Sequence, residues 1–415
     1  MKKIQTDIIV IGAGPGGMAA ALKAHEMGAK NVLLVDRLPE PGGILQQCIH
    51  NGFGLQKFKK DLTGPEYADM YIKLLKNTNI QVLLQTMAIE ILNHNRVVLS
   101  NKTDGLIEVN SKAIVLAMGC RERTRQQVSI PGTRPSGIFT AGVAQRFMNI
   151  EGYLPGKEVV VVGSGDIGLI MARRMTLEGA KIHAVTELLP YPGGLTRNIV
   201  QCLNDFDIPL YLRHNVIEIY GKDRVTGVKI ADVGEEGSPL QKTFEVSCDT
   251  LLFSVGLIPE NELSRMVPLT MNPLTGGPYI DDTFMTSKQG VFTCGNAAFV
   301  NDLADYVSLE GETAGASAAK YAFGNYPNDT RIPTVAGQNV RFVTPNFISR
   351  NDSATLYIRA KYPMTDVKIT STNNVIHMVK KIVKPSEMIE IKLDAEMLKK
   401  IKVLKELRID VGQNN

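Results

Sequence analysis

The sequence has few cysteines, and their spacing excludes the common paired motifs. Five occur in 415 residues, and neighbouring cysteines are never closer than 46 positions: Cys48, Cys120, Cys202, Cys248 and Cys294. Neither CxxC nor CxxxxC is present, so the spacing predicts no metal site. Isolated cysteines are typical of a reduced protein, and we therefore expect a cytoplasmic location.

Excess charge and long apolar runs are also missing. The formal net charge is only +4, and one basic group stands out, at the C-terminal end: Lys380, Lys381, Lys399, Lys400, Lys402 and Lys405. Such a pattern does not indicate nucleic acid; this group is either a solvated face or a site for an acidic partner. No apolar run approaches the roughly 18–20 residues of a membrane span. The start imitates a secretory signal, but Asp7 and the glycines after it argue against one.

A glycine-rich fingerprint lies near the start of the chain. An apolar strand predicted at residues 8–11 leads into Gly12, Ala13, Gly14, Pro15, Gly16 and Gly17. Gly12 permits a tight turn, Gly14 lets backbone approach a pyrophosphate, and Gly17 allows a helix, predicted at 18–25, to pack on the strand. A second strand, predicted at 31–35, ends on Asp36, which follows Gly12 by 24 residues and is placed to bind a ribose. The whole pattern predicts a dinucleotide site.

The same design occurs a second time. Residues 158–162 lead into Gly163, Ser164, Gly165, Asp166, Ile167 and Gly168. Glu187 follows Gly163 by the same 24 residues, and residues 251–256 repeat the pattern of 114–119. An internal repeat of this kind predicts two Rossmann units, each with its own dinucleotide. The length and the ordinary globular composition, with 44% hydrophobic residues, predict two or three α/β domains.

The remaining segments are predicted from local signals. A turn-rich loop covers 39–43, and Thr63 with Glu66 forms a capping box that opens a helix. Strands are predicted at 80–85, 88–92, 96–100 and 106–109, as an antiparallel excursion, and at 113–116. A helix is predicted at 308–323 and a linker at 325–330. Beyond it, strands at 355–360, 367–370, 377–381, 388–393 and 407–411, with a helix at 395–406, predict a small mostly-β module.

These motifs resemble the pyridine nucleotide-disulfide reductase superfamily, the flavoprotein oxidoreductases with two dinucleotide domains. The resemblance rests on both fingerprints with their acids, on residues 117–119 and 254–256, and on 293–296, in the family order. It implies an FAD domain at 1–152 and 287–330, an NAD(H) domain at 153–286 and a β-rich module at 331–415. Asn296 stands where the family usually has aspartate, and an amide still donates and accepts hydrogen bonds.

The resemblance also implies the cofactor-binding residues. Besides the two fingerprints, Asp36 and Glu187, these are Arg37, Gly42, Gly43, Met87, Ala88, Ala117, Met118, Gly119, Gly256, Gly295, Asn296 and Val307. A helix opening near Val307 would aim its dipole at the flavin. Glu187 favours NAD over NADP because a carboxylate repels a 2′-phosphate, although Arg197 could in principle reach such a phosphate.

A narrower resemblance lies in residues 42–55 and 62–67. They are similar to bacterial FAD/NAD-dependent subunits associated with glycerol-3-phosphate, opine or amino-acid dehydrogenases. Those subunits relay electrons between NAD(H) and a partner flavoprotein or iron–sulfur protein. The resemblance therefore implies an oligomeric enzyme that transfers a hydride between NAD(H) and bound FAD, with a partner dehydrogenase subunit or a small molecule as the second electron carrier.

Two alternatives stay open. In the first, Cys48 is the single redox-active thiol of an NADH oxidase, a peroxidase or a coenzyme A disulfide reductase, with His50 as its base or proton donor. The bland interpretation of this pair is a buried structural cysteine and a hydrogen-bonded loop histidine. In the second alternative the chain is a non-catalytic flavin-binding assembly subunit. The missing cysteine pair makes the dithiol cycle of the disulfide reductases unlikely in any case.

Overall fold

The chain divides into two compact units. One contains residues 1–120 and 259–415, called the first unit below, and the other, the second unit, contains residues 121–258. The computed structural model describes residues 1–234, 238–326, 331–350 and 352–414. Most of the predicted linker, residues 327–330, lies outside the described residues. The predicted domain boundaries stay predictions.

The helices start where the sequence offers good first turns. Thr63 caps α2 as predicted: its Oγ1 accepts from Glu66 N, and Glu66 Oε2 accepts from Thr63 N at 2.8 Å. Proline opens α1, where its missing N–H costs nothing. The α-helices of the described residues are α1 (Pro15–Glu26), α2 (Gly64–Lys76), α3 (Ala141–Asn149), α4 (Asp166–Leu177), α5 (Thr196–Cys202), α6 (Glu262–Met266), α7 (Ala304–Ala322) and α8 (Ala395–Ile401).

The strands alternate with these helices over the first three quarters of the chain and then predominate. In chain order they are β1 (Lys2–Ile11), β2 (Val32–Val35), β3 (Asn51–Phe53), β4 (Leu62–Thr63), β5 (Gln81–Leu83), β6 (Thr86–Leu92), β7 (Arg96–Asn101), β8 (Gly105–Leu116), β9 (Cys120–Glu122), β10 (Ile138–Thr140), β11 (Glu158–Val162), β12 (Lys181–Glu187), β13 (Leu210–Leu212), β14 (His214–Gly221), β15 (Val225–Val233), β16 (Pro239–Ser247), β17 (Thr250–Phe253), β18 (Leu257–Pro259), β19 (Val291–Thr293), β20 (Ile332–Ala336), β21 (Val340–Thr344), β22 (Phe347–Ile348), β23 (Ala354–Ala360), β24 (Met364–Ser371), β25 (His377–Val383), β26 (Ile389–Leu393) and β27 (Leu407–Gln413).

The first unit is built on a seven-stranded sheet in the order β5-β2-β1-β8-β7-β6, with β19 on the other side of β8. β1, β2, β5, β8 and β19 pair in parallel, whereas β6, β7 and β8 pair antiparallel, which confirms the predicted excursion. The two strands predicted at 106–109 and 113–116 are one strand, β8. They merge because β8 pairs with β1 from Lys2 opposite Ile107 to Ile11 opposite Leu116.

The second unit repeats this plan with a parallel sheet in the order β10-β17-β11-β12-β13. Its first two strands, β11 and β12, correspond to β1 and β2, and β17 takes the place of β8. A separate antiparallel sheet, β14-β15-β16, follows the edge strand β13. The α/β fold with two Rossmann-like sheets is therefore confirmed.

The C-terminal residues of the first unit form the mostly-β region that the alternating pattern predicts. Its sheets have the orders β22-β20-β27-β24-β25 and β21-β23-β26, and they enclose an aliphatic core with α8. The helix predicted at 395–406 is too long: α8 ends at Ile401, and a turn follows. Ile401 is the last helical residue that is buried in the core, so the lysines after it gain nothing from continuing the helix.

Candidate dinucleotide sites

The first glycine-rich turn has the packing that its sequence predicts. Gly12 adopts φ +104°, and a Cβ atom there would lie 2.3 Å from Ala117 O. A Cβ atom at Gly17 would lie 1.7 Å from Gly12 O, so helix and strand touch by backbone. Gly14 is different, because a Cβ atom there would meet no atom within 4 Å. The structure thus leaves space at the one glycine that is expected to face a pyrophosphate, and the residues present fit a dinucleotide.

Asp36 lies beside this turn at the end of β2. Its Oδ2 accepts from Ala13 N at 2.6 Å and its Oδ1 from Leu38 N at 2.8 Å. Each oxygen keeps a second lone pair, so the buried carboxylate can still accept from a ribose hydroxyl. Its neighbour Arg37 is largely exposed and has Nη1 3.7 Å from Glu260 Oε1.

The loop at residues 41–43 folds back onto the same turn. Gly42 N donates to Ala13 O at 2.8 Å, and a Cβ atom at Gly43 would come within 3.3 Å of Gly14 Cα. Both glycines have positive φ, at +114° and +56°, where other residues are strained. The structure therefore brings two predicted loop residues to the mouth of the first fingerprint.

The late motif packs against the turn from the other side. Cβ atoms at Gly16 and Gly295 would lie 3.1 Å and 2.7 Å from Val307 Cγ1. Asn296 does not extend freely: its Oδ1 accepts from Asn301 N at 2.9 Å, and its Nδ2 lies 3.3 Å from Cys120 Sγ. The amide thus holds the loop that leads from the strand β19 towards α7.

The start of α7 differs from the prediction. The helix begins at Ala304, so Val307 lies within its first turn and not at its opening. The reason is Asp305, a buried residue of that turn, which accepts from the N–H groups of Gly54, Gln56 and Lys57 at 2.7–3.0 Å. Asp305 therefore anchors the loop after β3.

The other predicted residues of the first unit lie close to these. Thr86 N donates to Asp36 O at 2.9 Å, which brings the following Met87 and Ala88 next to the carboxylate strand. Met118 packs partly against the core beneath the sheet. Gly119 has φ +75°, and a Cβ atom there would meet no atom within 4 Å.

The second unit holds its fingerprint in the same way. A Cβ atom at Gly163 would lie 2.3 Å from Ser254 O, as Gly12 lies against Ala117. Glu187 Oε2 accepts from Ser164 N at 3.1 Å, and its Oε1 accepts from Leu189 N at 2.9 Å. Each bond has its counterpart at Asp36. Gly256, with φ +103°, follows β17 by three residues.

Three predicted residues of this fingerprint have structural partners as well. Asp166 Oδ1 accepts from Leu195 N at 2.8 Å and from Asn198 Nδ2 at 2.6 Å. Ile167 packs partly buried against the core of the unit. Gly168 N donates to Ser254 Oγ at 3.0 Å. Asp166 is thus engaged in holding the loop before α5.

Sequence reasoning missed that loop, which covers residues 190–194. Gly193 N donates to Ser164 Oγ at 2.7 Å, and a Cβ atom at Gly194 would lie 3.0 Å from Ser164 O. The signal is present in the sequence, because the repeat does not stop at Glu187. It continues through Pro190, Pro192, Gly193 and Gly194, which match Pro39, Pro41, Gly42 and Gly43 at the same offset of 151 residues.

Cys48 and His50 lie just after the loop of the first unit. Cys48 Sγ donates to Ile44 O at 3.3 Å, and burial raises the pKa of its thiol to about 12. The His50 ring lies 5.2 Å from that of Phe53, centroid to centroid. A nucleophilic thiol needs a lowered pKa, so these contacts favour the structural interpretation of Cys48.

A buried acid that sequence reasoning did not single out lies behind the late motif. Glu310 Oε2 accepts from Gly295 N at 2.9 Å and from Asn301 Nδ2 at 3.2 Å. Its Oε1 is buried with no hydrogen-bond partner among the described residues. Burial raises the pKa of Glu310 from about 4.5 to about 8. A neutral carboxyl group therefore holds the backbone of Gly295.

Two glycine-rich turns, each with a carboxylate on the neighbouring strand, define a two-dinucleotide-domain oxidoreductase. The chain belongs to the pyridine nucleotide-disulphide oxidoreductase family, whose sequence model matches residues 6–323. Members of this family bind FAD and use NAD(P), which confirms the resemblance on which the sequence analysis relied.

Individual relatives are more distant. The chain is 23% identical to the hydrogen cyanide synthase subunit HcnB of Pseudomonas protegens over 76% of this chain and 68% of that protein. It is 26% identical to an opine oxidase subunit of Agrobacterium tumefaciens over 70% of this chain and 61% of that protein. This chain thus spans about two thirds of the length of these relatives, and both are named as subunits.

Solved structures confirm the fold. The thioredoxin reductase of T. acidophilum matches with a TM-score of 0.62 at 21% identity over 77% of this chain and 99% of that chain. The thioredoxin reductase of Lactococcus lactis matches with a TM-score of 0.63 at 20% identity, with the same coverage. None of the helices in the described part of the chain is long and apolar enough to cross a membrane.

Proposed function

We propose that this chain transfers a hydride between NAD(H) and FAD and exchanges the electrons with a partner dehydrogenase or iron–sulfur subunit. The observation that carries the proposal is the duplicated carboxylate cradle. Asp36 accepts from Ala13 N and Leu38 N, and Glu187 accepts from Ser164 N and Leu189 N. Two complete cradles support two bound dinucleotides, which a purely structural flavin subunit would not need.

The protein's part in this reaction is binding and orientation. When bound, FAD and a nicotinamide dinucleotide supply the hydride chemistry themselves. Gly14 leaves room for a diphosphate in the first unit, and Asp36 keeps lone pairs for a ribose. The neutral Glu310 fixes Gly295 without adding charge beside a diphosphate. No nucleophilic thiol is required, in agreement with the raised pKa of Cys48.

We further propose that the nicotinamide dinucleotide is NADH rather than NADPH. Glu187 presents a carboxylate where a ribose 2′-hydroxyl would bind, and a 2′-phosphate would be repelled. Asp166 adds a second negative charge near the same turn, and its Oδ1 holds the loop before α5. The predicted cytoplasmic location is supported by the five cysteines, all of them present as thiols.

The proposed partner follows from the relatives. Both HcnB and the opine oxidase protein are named as subunits of larger enzymes. The missing dithiol supports the same conclusion, because electrons then leave by a route other than a cysteine pair of this chain.

Anaerobic reduction of the purified flavoprotein tests the proposal. We expect the yellow protein to bleach with NADH alone, and faster than with NADPH. Acceptors such as quinones, disulfides, peroxide and co-purifying proteins should then be screened for return of the colour. If NADH bleaches the flavin only after a partner protein is added, the assembly alternative is favoured. Faster reduction by NADPH would overturn the cofactor preference.

A further inference from the structure

The internal repeat is longer than the two fingerprints. Residues 7–44 and 158–195 align without a gap at an offset of 151. Besides the fingerprint glycines, the copies share Gly28-Ala29-Lys30 with Gly179-Ala180-Lys181. They also share the pattern P-x-P-G-G after the acid, at 39–43 and at 190–194. The loop after the acid is therefore part of the duplicated unit.

The backbone bonds obey the same offset. Gly12 N donates to Val35 O and Gly163 N to Thr186 O, both at 2.8 Å. The residue two positions after each acid donates its N–H back to that acid, at 2.8 Å in Leu38. The corresponding distance in Leu189 is 2.9 Å. The two copies thus retain one geometry up to the start of the P-x-P-G-G loop.

The loops are fastened to their turns by different atoms. Gly42 N donates to the backbone oxygen of Ala13 at 2.8 Å. Gly193 N donates at 2.7 Å to the side-chain hydroxyl of Ser164, and that hydroxyl in turn donates to Glu187 Oε2 at 2.5 Å. The acid, the turn and the loop of the second unit therefore form one hydrogen-bonded chain, Glu187–Ser164–Gly193.

The free side of Gly193 is where a ligand would lie. Gly193 is exposed, and it has no positive φ among the described backbone angles. A Cβ atom built on it would lie 3.6 Å from both Glu187 Oε2 and Ser164 Oγ, an ordinary contact distance. Such an atom is thus tolerated by the protein while it points at the carboxylate that is placed to take a ribose.

We propose that residues 190–194 form a dinucleotide-contacting loop of the second unit. It covers the adenosine ribose and diphosphate of the nicotinamide dinucleotide, as the counterpart of residues 39–43. Ser164 acts as a positioning residue that couples this loop to Glu187. The proposal rests on the proposed function, because it needs a nicotinamide dinucleotide in the second unit.

The test uses Gly193→Ala in the FAD-loaded protein, with NADH and ADP-ribose as probes and calorimetry as readout. We expect the Kd for both probes to rise about tenfold or more, because the added methyl group occupies ligand space. FAD content and thermal midpoint should not change. The matched control is Gly234→Ala, whose Cβ atom would lie 3.7 Å from Leu240 Cδ2, away from the turn. It should leave both Kd values unchanged.

Hydrogen exchange provides a second readout. NADH should slow exchange of the amides of residues 193–195 in the wild type, and Ser164→Ala should reduce that protection. If wild type binds NADH but Gly193→Ala binds both probes equally well and the loop gains no protection, the loop proposal is overturned. If wild type binds neither probe, the proposed function itself fails, and the loop proposal fails with it.

Discussion

Gly17 and Gly12 touch so closely that a Cβ atom on Gly17 would lie 1.7 Å from Gly12 O. Neither backbone can retreat, because Gly12 N is itself bonded to Val35 O at 2.8 Å. Gly17→Ala should therefore lower the free energy of unfolding by about 3 kcal/mol or more. Urea titration of the FAD-free protein measures this loss.

Gly14→Ala is the matched control within the same turn. Gly14 has φ −73° and ψ −174°, which alanine adopts readily, and its Cβ would meet nothing within 4 Å. We expect the free energy of unfolding to change by less than about 0.5 kcal/mol, while FAD is lost more readily on dialysis. Unchanged FAD retention in Gly14→Ala would contradict the assignment of this space to a diphosphate.

Helices α1 and α7 are in backbone contact. Cβ atoms on Gly311 and Gly315 would lie 2.1 Å from Gly16 O and Ala20 O. Gly315→Ala should destabilise the protein by about 2–3 kcal/mol through overpacking, although helix propensity alone would favour alanine. The control is Gly412→Ala, whose Cβ would meet no atom within 4 Å. Equal unfolding midpoints for the two variants would argue against the contact.

The C-terminal region is tied to the loop before α7 by a largely buried ion pair. Arg359 Nη2 lies 2.5 Å from Asp302 Oδ1, and Asp302 Oδ2 accepts from Met388 N at 2.6 Å. Arg359→Met should cost about 2–4 kcal/mol in urea unfolding, because the aspartate is left buried without its partner. Arg146→Met breaks the exposed pair with Glu151 and should cost less than about 1 kcal/mol.

Glu310 should make stability depend on pH. The folded protein holds its proton up to about pH 8, whereas the unfolded chain releases it near the ordinary pKa of 4.5. Stability therefore falls as pH rises between these values, by at most about 1.4 kcal/mol per pH unit. Two neighbouring groups, Cys294 and Tyr357, have pKa values that are raised by burial first and by the charge of Glu310 second.

Glu310→Gln keeps an acceptor for Gly295 N and removes the titration. Thermal midpoints from pH 5 to pH 8 should fall less steeply for this variant than for wild type. Parallel curves for the two proteins would show that Glu310 does not carry the effect.

Cys48 should be unreactive near neutral pH. With a pKa of about 12, only about one thiol in 10⁵ is ionised at pH 7. Iodoacetamide should label the Cys48 peptide slowly below about pH 10 in mass spectrometry, and Cys48→Ala should retain NADH oxidation within about twofold. Rapid labelling at pH 7, or loss of turnover in the variant, would restore the single-thiol alternative.

The sequence by itself determined the fold class and the two dinucleotide units. Glycines at the turns, apolar strands and an acid 24 residues later are local signals, and they need only neighbouring backbone to take effect. The capping box at Thr63 and the antiparallel strands β6, β7 and β8 were predictable for the same reason.

Tertiary structure decided what each polar side chain is used for. Asp305 begins α7 three residues before the predicted helix because it accepts N–H groups from the distant loop after β3. β8 is continuous because β1 pairs with it along its length. Glu310 became visible only through its burial behind Gly295. Such contacts join residues far apart in the chain, so no local pattern announces them.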